Sequence, residues 1–351
     1  MPDIRELERA DLPAVAGLLG ANLQVWSGDA DSLAATFFDH PWADQELPSF
    51  VAVDDVGEVF GFIGAQARRL QFDDRTLRGV CCTQLVVAPD HRQGAAGALL
   101  IGRLLSGPQD LTWSDSATDL VARIWRLYGG HLDHARACDW VLVARPERWL
   151  RSLIAATVRR RTVRRDLAPV GALPFHAVGP RVARRAFPKP SADVVGEGAS
   201  TQAVIEHRAE IANGLRVAVD HDERHLEHLF GLVEATDGPV IRRLVRRSGR
   251  PIGWYAYLPR RGGVSRVLHL AASEHNSGAV LGELVDHARA GGSAVVAGRA
   301  EPHLMRSLGG RFAVLGLART PIFHTKDPQL AAALATSSSL LTRLDGEVLI
   351  T

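Results

Sequence analysis

The sequence predicts two successive α/β units, each a mixed sheet flanked by helices, and three observations predict it. Apolar residues make up 46% and charged residues 23% of the 351, a globular balance. Strand-like and helix-like periods follow one another in the same order in both halves: hairpin, strand, turn, helix, strand, helix. Between the halves the pattern breaks, first with arginines and then with prolines and glycines. The length suits two ordinary domains with their own cores.

In the first half, residues 3–7 read as an opening strand, and Asp11 as the cap of a helix running from Leu12 to Leu19. Residues 49–54 and 58–69 read as a hairpin around the turn at Asp55 to Gly57. Residues 78–87 form a further strand, then come a helix at 96–105, a strand at 110–114, a helix at 116–128 and a strand at 138–143. Eight arginines fall between Arg145 and Arg165, and the stretch to residue 200 reads as a linker, helical at first and then extended. The second half carries a hairpin at 240–247 and 251–258, a strand at 265–272, a helix at 277–290, a strand at 293–298 and a helix near 301–308. The division is 1–145, linker 146–200, and 201–351. The halves share architecture without clear sequence identity.

Bulk properties exclude several classes. The net charge of +2 predicts no polyanion partner, and lysine is nearly replaced by arginine, with only Lys189 and Lys326 present. Cys81, Cys82 and Cys138 offer no C-x-x-C spacing, so neither a disulfide scaffold nor a zinc site is expected. The start, Met1 to Glu6, has no apolar signal core, and no apolar run reaches the roughly 18 residues of a membrane span. A cytoplasmic protein is expected.

The chemistry concentrates in Gln84 to Leu100, where an apolar strand ends, a turn of small residues follows and a helix opens. A helix N-terminus presents unpaired N–H groups and partial positive charge. Small residues let a ligand's phosphates approach that backbone, and Arg92 adds a charge-assisted contact. No G-x-x-x-x-G-K-S/T is present, which disfavours a nucleotide P-loop.

This stretch resembles the acyl-CoA signature of the GNAT (general N-acetyltransferase) superfamily, R-x-x-G-x-G/A after a strand. Arg92 holds the arginine position, Ala95 the first glycine position and Gly97 the second; a register starting at His91 with Gly94 and Ala96 is also open. The resemblance implies two GNAT-like acyl-CoA N-acyltransferase domains, each a mixed, mainly antiparallel sheet. It implies that Arg92, Gln93, Gly94, Ala95, Ala96, Gly97 and Ala98 cradle the pyrophosphate of acetyl-CoA or another acyl-CoA. Leu85, Val86 and Val87 would hold the pantetheine where the signature strand parts from the next one.

The superfamily's following helix, N-x-x-x-x-x-x-Y, falls here on Thr118 and Trp125. Thr118 keeps a hydroxyl for the cofactor. An indole N–H is no match for a phenol as an acid, so Tyr128, three residues on, is the substitute acid, with packing as its alternative role. A base must take the acceptor's proton. Among Asp90, Asp115 and Asp119, Asp115 is the choice, with a turn or N-cap role equally open. His91 reads as a solvated loop residue and Cys82 as a buried structural thiol.

The second half resembles a degenerate GNAT domain, in which Glu274 occupies the phosphate turn and repels phosphate. No CoA is expected there; a wall of the acceptor pocket or a homodimer face is the role implied. Tandem GNAT proteins with one decayed half include mycothiol synthase. The tail from Leu341 to Glu347 is similar to the ends of tandem GNAT-like proteins. Arg299, Glu301 and His303 follow the last strand, where α/β proteins place ligand groups, but a solvated turn and helix start is the favoured reading; among Trp254, Tyr255 and Tyr257 two are expected to face the core. Nucleic acid is not expected, because the arginine run lacks interleaved aromatics. The expected activity is transfer of an acetyl group to an amine of a small molecule or peptide. A decayed CoA-binding or assembly module and an aminoacyl-tRNA-dependent transferase of the peptidoglycan-bridge type are the alternatives.

Overall fold

The computed structural model describes residues 2–23, 26, 28–145, 192–212, 214–309, 313–317 and 320–347. The arginine-rich helix expected in the linker lies outside them. In chain order the first half holds β1 (Asp3–Glu6), α1 (Leu12–Asn22), α2 (Ala30–Phe37), β2 (Phe50–Val53), β3 (Val59–Phe72), β4 (Arg75–Val87), α3 (Ala96–Leu105), β5 (Leu111–Ala117), α4 (Asp119–Leu127), β6 (His131–Leu132) and β7 (Cys138–Val143). The second half holds β8 (Val194–Gly198), α5 (Thr201–Glu206), α6 (Arg208–Ile211), β9 (Val217–Val219), α7 (Glu223–Asp237), β10 (Ile241–Arg247), β11 (Arg250–Leu258), β12 (Val264–Ala272), α8 (Glu274–Ala290), β13 (Val295–Arg299), α9 (Met305–Gly309), β14 (Val314–Leu317), β15 (Thr320–His324), α10 (Pro328–Leu334) and β16 (Ser339–Leu340).

The strands form two mainly antiparallel sheets. The first runs β1-β2-β3-β4-β5-β15-β6, with β9 on β3 and β16 on β9; the second runs β14-β7-β13-β12-β11-β10-β8. Each sheet takes strands from the other half: β9, β15 and β16 join the first, and β7 joins the second. β7 enters the second sheet, antiparallel to β13 (Val295↔Val143) and to β14. β15 enters the first, antiparallel to β5 (Ile322↔Ser114) and to β6. The strand expected at 138–143 exists, but it does not complete the first sheet: Trp140 and Leu142 are fully buried against α8 and β12. β8, within the stretch read as linker, pairs with β10. The two halves cannot part without tearing strands from both sheets.

Side chains alternate across the first sheet. Val80, Cys82, Ala65, Ala67 and Ile63 face α3 and α4, packing on Leu100, Ile101 and Trp125. Phe62, Val86 and Val51 face α1 and α2, and farther along the same face Leu70, Cys81 and Trp113 meet Trp42 and Val217. That second face is roofed by the second half. The short α2 and the longer α7 were not read from the sequence, although α7 buries Leu226, Leu229, Phe230 and Val233 at helical spacing. Among the described residues no helix is long and apolar enough to cross a membrane.

Candidate functional site

The site grows from a defect in β4. The rungs Gly64↔Thr83 and Phe62↔Val86 leave Gln84 and Leu85 opposite the single Ile63, a β-bulge, and Gln84 takes a left-handed φ of 54°. β4 pairs in parallel with β5 only from Gly79↔Leu111 to Cys81↔Trp113. From Cys82 and Ser114 onward the two edges face each other unpaired. β5 meanwhile spends its far edge on β15. The result is a wedge between parallel strands, opening toward α3 and α4 on one face and toward the second half on the other. Unpaired backbone edges of this kind accept an extended ligand as an added strand.

At the wedge's outer end the strand-to-helix turn is exposed from Pro89 to Ala95. Arg92 does not reach outward: its Nε donates to Val87 O at 2.9 Å and its Nη2 to Asn22 Oδ1 at 2.7 Å, pinning the turn to the end of α1. α3 begins with Ala95 at its cap, no side-chain cap and no acidic residue in its first turn. Its leading N–H groups are therefore free for an anion. A Cβ on Gly97 would meet only Val87 Cγ2, at 3.8 Å, so the approach to that backbone is clear. Leu85 and Val87 are half-buried toward α3, Val86 is buried on the opposite face, and Ala96 is buried while Gln93 and Gly94 are exposed.

Inside the wedge sits a carboxylate that sequence reading did not single out. Glu347, 8% exposed, accepts from Ser114 Oγ at 2.5 Å, from the Asp115 N–H at 3.0 Å and from Ser116 Oγ. It thus takes up one of the unpaired N–H groups of β5. Burial first, and then the neighbouring Asp115, push the Glu347 carboxyl above the usual glutamate range. A Cβ at position 346 would collide with the Asp115 carboxylate, which the pair with Arg299 holds in place. The only trace in the sequence was the likeness of the 341–347 tail to other chain ends.

Asp115, the expected base, is committed elsewhere: its Oδ1 is ion-paired with Arg299 and its Oδ2 accepts from Glu347 N at 3.3 Å. Thr118 caps α4, accepting from Val121 N at 3.4 Å. Tyr128 donates from its hydroxyl to Ala98 O at 3.2 Å, clamping the end of α4 onto α3. Trp125 is fully buried and its indole N–H has no partner. Cys82 is buried with its thiol pushed up by burial, as a structural thiol would be.

Arg299, Glu301 and His303 are not in a solvated turn; all three are buried. The strand exchange carries them under the first sheet, where they join an alternating ladder. Asp133 pairs with Arg136 at 2.6 Å, Arg136 with Glu301 at 2.9 Å, and Glu301 with Arg299 at 2.8 Å, ending on Asp115. Arg136 also donates to Leu334 O at 3.1 Å and Ser339 Oγ at 2.6 Å, binding the C-terminal segment to both halves. In the second half Trp254, Tyr255 and Tyr257 are all buried. Glu274 in the first turn of α8 pairs with Arg306 at 3.1 Å and accepts from Ser337 at 3.0 Å, so a carboxylate stands where a phosphate would need donors.

The C-terminal turn also reaches a histidine cluster. His221 Nε2 lies 2.7 Å from Asp345 Oδ1, and His269 Nδ1 lies 2.8 Å from Thr342 Oγ1. His221, His269 and Asp345 have ligand atoms within 4.8 Å of one another. They suit a metal poorly. Asp345 Oδ2 already accepts from Thr342 N and Oγ1, and the buried Arg68 donates to the Asp345 carbonyl at 3.1 Å, setting a fixed positive charge against the cluster.

The sequence matches no known family model and no curated protein. Solved structures match the fold. A GCN5-related N-acetyltransferase from Anabaena variabilis superposes with a TM-score of 0.62 at 11% identity, over 93% of this chain and 73% of that one. Another from Kribbella flavida gives 0.56 at 13% identity, over 93% and 72%. Saccharomyces cerevisiae N-myristoyltransferase, solved with bound myristoyl-CoA, gives 0.52 at 9% identity, over 92% and 77%. A wedge between parallel strands, a bulged strand and a bare helix start thus lie in a chain that has the fold of the GCN5-related N-acetyltransferases, spanning both of its halves.

Proposed function

We propose that the protein transfers an acyl group from acyl-CoA to an amine, and that the wedge between β4 and β5 is where transfer occurs. The observation that carries this is the buried Glu347 carboxylate set between two unpaired strand edges, one of them leading to a bare helix N-terminus. The residues fit the cofactor. The first N–H groups of α3, from Ala96 to Ala98, with Gln93, Gly94 and Ala95, would hold the pyrophosphate. Arg92 shapes that turn through Val87 and Asn22. The bulged edge at Leu85, Val86 and Val87 would hold the pantetheine, with Thr118 beside it. Acyl-CoA supplies a thioester carbonyl as electrophile.

The base in this reading is Glu347 and not Asp115, because both Asp115 oxygens are committed, Oδ1 to Arg299 and Oδ2 to the Glu347 N–H. Glu347 takes a proton from the acceptor ammonium; the freed nitrogen bonds to the carbonyl carbon as the C–S bond breaks, the electron pair leaves on sulfur, and the proton that the new amide nitrogen sheds goes to the thiolate. A thiolate is a good leaving group, so the clamp role of Tyr128 does not prevent the reaction. A raised carboxyl pKa brings the base closer to its operating pH. The second half, with Glu274 in its turn, binds no CoA and instead roofs the acceptor side.

Calorimetric titration with acetyl-CoA, followed by thiol release on an amine panel, tests the reading. Binding lost in Gly97→Glu, with turnover on an amine, supports it. Binding without turnover on any amine indicates a CoA-binding module, and no binding by folded protein sinks the site.

A further inference from the structure

The ladder of buried charges under the first sheet ends beside the wedge, and it ends unevenly. Arg136 stands between Asp133 and Glu301, and Arg299 between Glu301 and Asp115, so each guanidinium is shared by two carboxylates. Glu347 lies beyond the last cation: it accepts from the Ser114 and Ser116 hydroxyls and from the Asp115 N–H. Two carboxylates with little access to water therefore adjoin at that end. Among the described residues Arg299 is the cation that touches the pair.

Each nitrogen of the Arg299 guanidinium is used. Nε donates to Glu301 Oε1 at 2.8 Å, Nη1 to Asp115 Oδ1 and Nη2 to Leu341 O. The last two contacts grip the segment that carries Glu347 at both of its ends. Leu341 is its first residue, and Asp115 Oδ2 accepts from Glu347 N at 3.3 Å. Gly346 lies against the same Asp115 carboxylate. Arg299 is itself fixed: it is buried on β13, and its carbonyl accepts from Trp140 Nε1 at 2.9 Å.

Adjoining carboxylates shielded from water share one proton up to a raised pH unless a cation relieves one of them. After burial, Asp115 is what pushes the Glu347 carboxyl up, and Arg299 sits on the other oxygen of Asp115 and offsets that charge. Among the described residues the remaining groups facing the pair are few. Arg68 on β3 acts on Asp115 through space, with its own donors on Asp345 O, Ala67 O and Gln66 Oε1. Cys81 and Cys82 on β4 face the pair as thiols that burial keeps neutral. Glu301 faces Arg299 from the ladder.

We propose that Arg299 is a positioning residue for the transfer: through Leu341 and Asp115 it holds Glu347 in the wedge, and by offsetting the Asp115 charge it lets Glu347 serve as base without sharing a proton with Asp115. The inference rests on the acyltransferase reading and gives the second half a part in the reaction. Arg299 acts through Asp115 and not on the substrates.

The test reads the ionisation of Glu347 without substrate, from its carboxyl carbon resonance in glutamate-labelled protein, assigned by its loss in Glu347→Gln. The resonance is followed with pH in wild type, Arg299→Lys, Arg299→Gln, Asp115→Asn and the double variant of the last two. Arg299→Gln should move the Glu347 titration up by about one pH unit or more. Arg299→Lys should move it far less, because the charge is kept, and Asp115→Asn should move it down. In the double variant the upward movement should vanish, because Asp115 carries it. The pH limb of kcat/KM for thiol release should follow, so that Arg299→Gln loses about tenfold at neutral pH and regains most of it in alkali. An arginine that serves structure alone would lower activity at every pH and leave the titration in place, and that result overturns the proposal. If Arg299→Gln does not fold, Asp115→Asn decides: a Glu347 titration that stays or rises in it overturns the proposal as well. Titrations that move as stated in a protein that transfers to no amine uphold the link from Arg299 to Glu347 and count against the acyltransferase reading alone.

Discussion

Replacing Glu347 by glutamine separates charge from shape. The carboxylate accepts from Ser114 Oγ, Asp115 N and Ser116 Oγ. A glutamine keeps one oxygen for the rigid Asp115 N–H and turns its NH2 toward a hydroxyl, which rotates to accept, so the side chain keeps its place. What it loses is the ability to take a proton. Removing a positioned base lowers the rate about 10²- to 10⁴-fold, or about 3–5 kcal/mol on the barrier. Stability moves the other way. The folded pKa of Glu347 lies above the unfolded one, raised by burial and then by Asp115. Its favourable contribution is therefore complete only below the unfolded pKa and fades as pH rises through the folded value. Above that pH, ionised Glu347 destabilises the fold, and glutamine removes the penalty. The assay pairs kcat/KM from thiol release with Tm from calorimetry, both across pH. Wild-type activity should rise with pH through an ionisation above the ordinary glutamate range, and the variant should lose that limb while melting no lower than wild type at about pH 8. A variant that keeps most of its activity, or melts well below wild type there, refutes the assignment.

Gly97→Glu should abolish acetyl-CoA binding with little effect on Tm, because the position has room for a Cβ but would aim a carboxylate at the phosphate site; urea melts beside calorimetry check both halves of the statement. Arg136→Met should cost about 3–5 kcal/mol in denaturant unfolding, since Asp133 and Glu301 stay buried with the ladder broken. Acid should weaken the fold through its histidines. Burial pushes His40 down to about 2, His269 to about 3 and His303 to about 4. Each folded pKa lies below its unfolded value, so the stability each contributes is complete above roughly pH 6.5 and falls as pH drops, by about 1.4 kcal/mol per pH unit. His303→Leu should remove one histidine's share of that slope, read from urea midpoints at successive pH values.

Local pattern made the strand, turn and helix of the candidate site legible. The apolar run ending at Val87, the small residues through Gly97 and the amphipathic stretch to Leu105 set strand, turn and helix within some twenty residues, and each period is a property of neighbours in sequence. The two hairpins and α8 were readable for the same reason. The part of the wedge around Asp115 was not. Asp115 read as a free carboxylate because nothing near it in sequence reveals Arg299, 184 residues away, or Glu347, 232 residues away. Arg299 and Glu301 read as solvated because charged residues at the end of a strand usually are.

By itself, the sequence determined two α/β halves of mixed strands, the bare helix start at Ala95–Gly97 and a carboxylate, Glu274, in the first turn of α8. Only the tertiary structure decided that β7 and β15 trade sheets, that Glu347 enters the wedge, and that Arg299 meets Asp115. The reason is the range of the forces involved. Hydrophobic period and turn chemistry act between near neighbours and are written locally. Strand pairing is carried by backbone groups that every residue possesses, and buried ion pairs by partners hundreds of residues apart, so both are fixed only when the whole chain closes on itself.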